Sequence, residues 1–394
     1  MRRSVPVPQP KPSWLTDPQV RAWVFQVLAV ILVVACGWFL FHNTQTNLAH
    51  RGILSGFGFL DNSAGFGISQ HLIDYRESDS YARVFVIGVL NTLLVSLIGI
   101  VLATVLGFVI GVARLSPNWL LRQIATVYIE VFRNIPPLLQ IFFWYFAILQ
   151  PLPGPKQSLA LGELFFVNNR GLYMPAPSLS EDFMPVLVAF LLALVACILC
   201  WRKARSQQEL SGDSGWWRPL GVGLLLGAPL LTAWVLGSPF TWSVPALSGF
   251  NFRGGWVVIP ELVALTLALT IYTAAFIAET VRSGIQSVSH GQTEAARSLG
   301  LRPQQTLRLV IIPQALRVII PPLTSQYLNL TKNSSLAAGI GYPDMVSLFA
   351  GTVLNQTGQA IETMAITMSV YLAISISISL LMNLYNKRIA LVER

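Results

Sequence analysis

The chain has 394 residues, of which 54% are hydrophobic and only 11% charged, with a mean hydropathy of +0.60 and a formal net charge of +9. So little charge excludes a soluble globular protein of this length and indicates a polytopic membrane protein. The cationic excess is then read from where the charges fall along the spans, which excludes a nucleic-acid role.

The first apolar run, 23–41, is preceded by Arg2, Arg3, Lys11 and Arg21 and by several prolines. It starts too late for a cleaved leader and is long enough to span, so it reads as a signal anchor. The stretch 42–83, rich in Gly, Ser, Asn and Asp, reads as an external loop. Further spans are expected at 84–113, 124–149, 184–201, 220–236, 257–281, 315–335 and 364–385, eight in all. With a cytoplasmic N-terminus, 18 Lys and Arg residues, counting Arg317 at the inner edge of its span, lie inside and 6 outside. That asymmetry predicts both termini in the cytoplasm.

The chain divides into a cytoplasmic segment, 1–22, an extra span with its loop, 23–83, and a first core part, 84–149. An insertion with two extra helices, 150–256, precedes a second core part, 257–386, and a cytoplasmic tail, 387–394. The inserted pair crosses and returns, so it leaves the sense of the later spans unchanged. Its plain Leu, Val and Ala composition suits peripheral lipid-facing bulk, with Trp216, Trp217, Trp234 and Trp242 as interfacial anchors.

Several chemistries are absent from the sequence. Cys36, Cys197 and Cys200 lie in apolar segments, and the Cys197-Ile-Leu-Cys200 spacing falls in a lipid-length run, so buried thiols are expected rather than a redox pair. There is no HExxH, no GxSxG and no convergent metal-ligand set, which argues against a membrane-embedded enzyme. No GxxxxGK[ST] occurs, so a P-loop nucleotide site must belong to another polypeptide.

The most specific stretch is EAARSLGLRPQQTLRLVIIP, residues 294–313, in the cytoplasmic interval 287–313. Helix-prone residues lead to Gly300, placed for a left-handed helix end, and Pro303 suits the first turn of a second helix. The pattern predicts a helical hairpin ended by Pro313. Its spacing resembles the EAA loop of ABC importer permeases. The flanks LTLALTIYTAAFIAETVRSGIQSV and LTKNSSLAAGIG resemble the polar-amino-acid branch (His, Glu, Gln, Arg and opine) of that family. The phrase FRNIPPLLQIFFWYF is similar to the Q-type permease subunit of broad-specificity general L-amino-acid systems.

The resemblance implies an all-α polytopic membrane protein with the type I importer fold, in which a five-helix core is built from the spans at 84, 124, 257, 315 and 364. It further implies a subunit, not itself an enzyme, that carries L-amino acids across the bacterial inner membrane. The implied partners are a dimer of ATP-binding subunits, a sister permease and a periplasmic amino-acid-binding protein. No cofactor is expected on this chain, since ATP and Mg would sit on the ATPase. The hairpin would be its coupling element, with Glu294 as a charged contact, Ala295 and Ala296 allowing close seating, Gly300 making the turn and Pro313 closing it.

Other features carry less. Gly99, Ala103, Gly107 and Gly111 form a ribbon of small residues suited to helix packing within the subunit. Pro136-Pro137 and Pro321-Pro322 predict kinked or opened helices. Beside them lie Arg133 and Asn134 in one helix, and Lys332, Asn333, Ser334 and Ser335 in the other, as candidates for a substrate path. Glu130, three residues before Arg133, offers a local ion pair, and Glu279 offers one to Arg282. A self-sufficient secondary transporter or channel would use the same charges but predicts an internal repeat, and the two proline-pair segments share little else.

Overall fold

The computed structural model describes residues 18–50, 56–179, 183–211, 215–237 and 240–389. Most of the N-terminal segment and the end of the C-terminal tail therefore lie outside the described residues. Helix α1, Pro18–His50, extends beyond the expected span, and its most apolar window has none of its residues buried. Of the stretch 42–83 expected to be a loop, 42–50 belong to α1 and 56–80 form an ordered cap. The amides of Ala64 and Gly65 donate to the carbonyls of Asp79 and Glu77, each at 2.8 Å, and the Tyr75 hydroxyl donates to Phe66 O at 2.6 Å. Phe59, Ala64 and Ile68 of the cap are buried.

Helix α2, Tyr81–Ala113, is followed by α3, Trp119–Asn134, and α4, Pro137–Phe142, which widens into π-helical turns through Leu149. The expected single span 124–149 is thus two pieces. Ile135 is extended (φ −96°, ψ 126°), the conformation that a following proline favours. Buried Gln140 repairs the break, its Nε2 donating to Phe132 O and Ile135 O, both at 3.0 Å. Among the described residues seven helices are long and apolar enough to cross a membrane, and the eighth expected span is the broken one.

The insertion holds short strands that the helical expectation lacked. They are β1 (Leu159–Leu161), β2 (Phe165–Asn168), β3 (Gly171–Met174) and β4 (Ala176–Leu179), then after a helical pair β5 (Phe240–Ser243), β6 (Ala246–Ser248), β7 (Asn251–Arg253) and β8 (Trp256–Val258). One antiparallel sheet runs β1-β2-β3-β8, with Tyr173 opposite Val257, while β4 pairs with β5 and β6 with β7. The strands therefore join the chain before and after the helical pair, α5 (Phe183–Ser211) and α6 (Trp217–Val235), into a closed stem. Each strand is only three or four residues long, too short for sequence alternation to register.

Helix α7, Pro260–Gln286, is the centre of the core. Next come α8 (His290–Ser298), α9 (Pro303–Thr306) and, after π-helical turns at Leu307–Ile311, α10 (Ile312–Asn333). Another π-helical run, Val346–Val353, leads through α11 (Leu354–Thr357) to α12 (Ala360–Ile389). The ribbon on α2 seats it against α7, where Gly107 faces Ile277 and Gly111 faces Val281, and against Leu330 of α10 at Gly99. This ribbon packs within the subunit, as expected. Leu265, Leu269 and Ile277 of α7 form the main core with Ile141, Ile319, Leu323 and Leu330. A second core joins the cap to Val84, Ile87, Met345 and Phe349.

Candidate functional site

The hairpin forms as its residue chemistry dictates. Helix α8 ends at Ser298, Gly300 takes φ +78°, and Pro303 opens α9, where the Gln305 side chain accepts the Arg302 amide at 2.9 Å. Ala296 is 3% exposed, packed inside the hairpin, whereas Ala295 and Glu294 face outward and Glu294 Oε1 lies 3.0 Å from His290 Nδ1. At the tip Leu299 is 82% exposed, a bare apolar knob that charge-centred reading of the motif passed over.

Pro313 does not end the second helix. It stands in the first turn of α10, directly after the π-helical turns. A proline removes one amide donor and crowds the preceding turn, and a widened turn accommodates both without breaking the rod. Gln314 Nε2 donates to Gln292 Oε1 at 3.0 Å, tying α8 to α10. The hairpin is thus anchored to a helix that runs deep into the core.

The two proline pairs behave differently. At Pro136 the chain opens, whereas α10 is helical through Pro321 and Pro322, both exposed. Ser325, Asn329 and Lys332 are exposed on the same side, since spacings of four and three place them on one helix face. Ser334, two residues past Lys332, turns the other way. It is fully buried and its hydroxyl donates to Thr331 O at 2.8 Å. Asn333 is half-buried, and Ser335 Oγ donates to Lys332 O at 2.7 Å.

Arg133 and Asn134 are exposed at the end of α3. Arg133 does not pair with Glu130; its guanidinium lies over the Phe276 ring, 5.1 Å from the centroid, and Asn134 Nδ2 donates to Glu130 O at 2.7 Å. Glu130 and Arg133 thus stand exposed on neighbouring turns with no ion pair between them. The carboxylate of Glu279 is bound more firmly than expected. It accepts from Arg282 Nε at 3.2 Å and also from Arg114 at the end of α2, joining α2 to α7 near the hairpin. Beside it a cavity of about 210 Å³ between α7 and α10 is lined by Glu279, Thr280, Ser283, Gly284, Val318 and Pro322. It adjoins the exposed face of α10.

The chain thus combines a helical core long and apolar enough to cross a membrane with an outward hairpin. Over residues 97–391 the chain matches the family described as "Binding-protein-dependent transport system inner membrane component", and it belongs to that family. It is 65% identical over 378 residues to YhdX of Escherichia coli (strain K12), named an amino-acid ABC transporter permease protein, covering 96% of each chain. It is 50% identical over 382 residues to the general L-amino acid transport system permease protein AapQ of Rhizobium johnstonii, covering 97% of this chain and 95% of that one. The glutamate/glutamine/aspartate/asparagine transport system permease protein BztB of Rhodobacter capsulatus is 44% identical over 411 residues, covering 96% of each.

The protein is accordingly a permease subunit of an ATP-binding-cassette transporter, built mainly of helices. It is an inner-membrane component of a binding-protein-dependent system and a transport component rather than an enzyme.

Proposed function

We propose that this subunit carries L-amino acids of broad, polar-leaning range along the exposed face of α10, driven through the hairpin by a separate ATPase. The observation that carries this reading is Lys332. It is exposed on a membrane-crossing helix and makes no hydrogen bond or ion pair through its side chain with any described residue. A cation at that depth facing lipid costs at least ~2.5 kcal/mol, so its face is covered in the assembly by protein and water. Ser325, Asn329 and Lys332 then line a path between this subunit and a sister permease, and the α-carboxylate of the substrate is the transient counter-ion of Lys332. Arg133 and Glu130, opposite charges left unpaired on α3, suit a zwitterion. Asn134, Asn333 and Ser335 flank the same openings, whereas Ser334, buried with its hydroxyl on Thr331 O, lies off the path.

The remaining parts follow from the hairpin. A dimer of ATP-binding subunits, holding ATP and Mg, receives α8 and α9, with Leu299 and Glu294 as contacts. Its closure moves α10 through the bond between Gln292 and Gln314. The cap and short strands then face the periplasm, where a binding protein delivers substrate, and both termini lie in the cytoplasm. The names of AapQ and BztB support the amino-acid range.

The test is Lys332→Met. Uptake by the assembled transporter should be abolished or need much higher substrate for half-maximal rate, at normal subunit levels in the membrane. Unchanged kinetics for acidic, neutral and basic amino acids would make Lys332 structural.

A further inference from the structure

The helical pair α5–α6 carries a site that transport does not use. Arg202 stands nineteen residues after Phe183, ~29 Å at ~1.5 Å per residue, against a hydrocarbon core of ~30 Å. Trp201 and Arg202 therefore fall at the membrane boundary, opposite the end where the strands lie. Trp216 and Trp217 mark the same level on α6, and Trp216 is 87% exposed.

Four cations gather there, and they divide into two kinds. Lys203 Nζ sits 4.1 Å from the centre of the Trp217 ring and Arg218 donates to Gln208 at 2.6 Å, so these two hold α5 to α6. Arg202 and Arg205 are exposed and form no hydrogen bond or ion pair with any described residue. The connecting sequence adds only Glu209 and Asp213, leaving a cationic excess. A cavity of about 330 Å³ along this face of α5 is lined by Cys197, Ile198 and Trp201 and by the side chains of Arg202 and Arg205. The Trp201 ring leans on α6 at Gly221, where a methyl group would come within 3.3 Å of it.

We infer that this cavity binds one anionic phospholipid of the inner leaflet, its phosphate held by Arg202 and Arg205 and an acyl chain lying on Ile198 and Trp201. An apolar lining alone would take any lipid tail. Two guanidinium forks one helical turn apart beside it select a negatively charged headgroup, since each presents paired donors to phosphate oxygens. Basic pockets at the cytoplasmic ends of spans provide that chemistry. The leaflet named here rests on the orientation proposed above; the headgroup preference does not.

The test uses the full assembled transporter in nanodiscs of phosphatidylcholine with a minor fraction of phosphatidylglycerol, counting the lipid retained after extraction by native mass spectrometry. Phosphatidylglycerol should be retained about tenfold or more over its share. Arg202→Gln with Arg205→Gln should abolish the preference, and the corresponding pair of lysine substitutions should keep part of it. Arg76→Gln, in the cap, should leave it intact. Equal retention of the two lipids, or a preference that survives the glutamine pair, would overturn the proposal. Displacement of the lipid by inorganic phosphate at comparable concentration would overturn the lipid assignment in favour of a free-anion site. Unchanged uptake by Lys332→Met with the lipid preference intact would tell against the transport reading alone.

Discussion

A side-chain carbon added at Gly107 would stand 2.6 Å from both Cβ and Cγ2 of Ile277, and 3.0 Å from Ala274 O. Helices α2 and α7 approach so closely that hydrogen is the only substituent that fits. Gly107→Val should therefore separate them, at a cost of ~1–3 kcal/mol or more for overpacking. The measurement is the thermal unfolding midpoint of the subunit in detergent, with Gly223→Ala as the control, since nothing lies within 4 Å there. An unchanged midpoint for Gly107→Val would mean that α2 packs elsewhere.

Gly300 presents the opposite situation, open space but a φ of +78°. A Cβ at Gly300 meets no neighbour, so Gly300→Leu is penalised chiefly by backbone conformation, ~1–2 kcal/mol. That is enough to misalign α8 and α9 without unfolding the chain. Uptake and substrate-stimulated ATP hydrolysis should both fall while the amount of subunit in the membrane stays normal. Survival of both activities would separate the hairpin from coupling.

The carbonyls left by the break before Pro136 depend on a single amide. Gln140→Leu removes the donor that serves both Phe132 and Ile135, and an unsatisfied buried polar group costs ~1–3 kcal/mol. The unfolding midpoint should drop, with the backbone amides of 132–140 exchanging faster with deuterium. A leucine variant as protected as the parent would show that water fills the role.

Asp344, in the connection between α10 and α12, is fully buried and accepts hydrogen bonds from the Tyr371 hydroxyl at 2.9 Å and the Ser347 amide at 2.8 Å. Burial pushes its carboxyl up to about 7, against an ordinary 3.8. Between those values the unfolded chain has released the proton and the folded one still holds it, so stability falls as pH rises and levels off above about 7. Asp344→Asn should flatten this part of the pH dependence of the unfolding midpoint. An identical slope in the variant would assign it to other groups.

What could be read in the sequence was what local chemistry decides. Gly300 and Pro303 set the hairpin because a left-handed turn and a first helical turn each favour one residue type. The spans were legible from hydropathy. Whether a proline pair opens a helix was not legible. Pro136 breaks the chain beside Gln140, which can cap the loose carbonyls, whereas α10 stays helical through Pro321. That difference depends on neighbours rather than on the prolines. The partner of Arg133 was missed for a similar reason, as Phe276 lies 143 positions away. Glu130, three positions away, is the neighbour that sequence proposes.

The fit of Gly107 against Ile277 also sets a timetable for biogenesis, because the two residues are 170 positions apart. At ~5–20 residues per second, α2 waits ~10–30 s after its own synthesis before α7 exists to cover its small-residue face. Helices α5 and α6 emerge during that interval and can close on each other at once. The strand β8 then pairs with β3 just as α7 begins to enter the bilayer, so the stem delivers the late helix to the early one. A ribosome stalled after α6 should carry a finished helical pair beside an α2 still open to any passing small-residue helix.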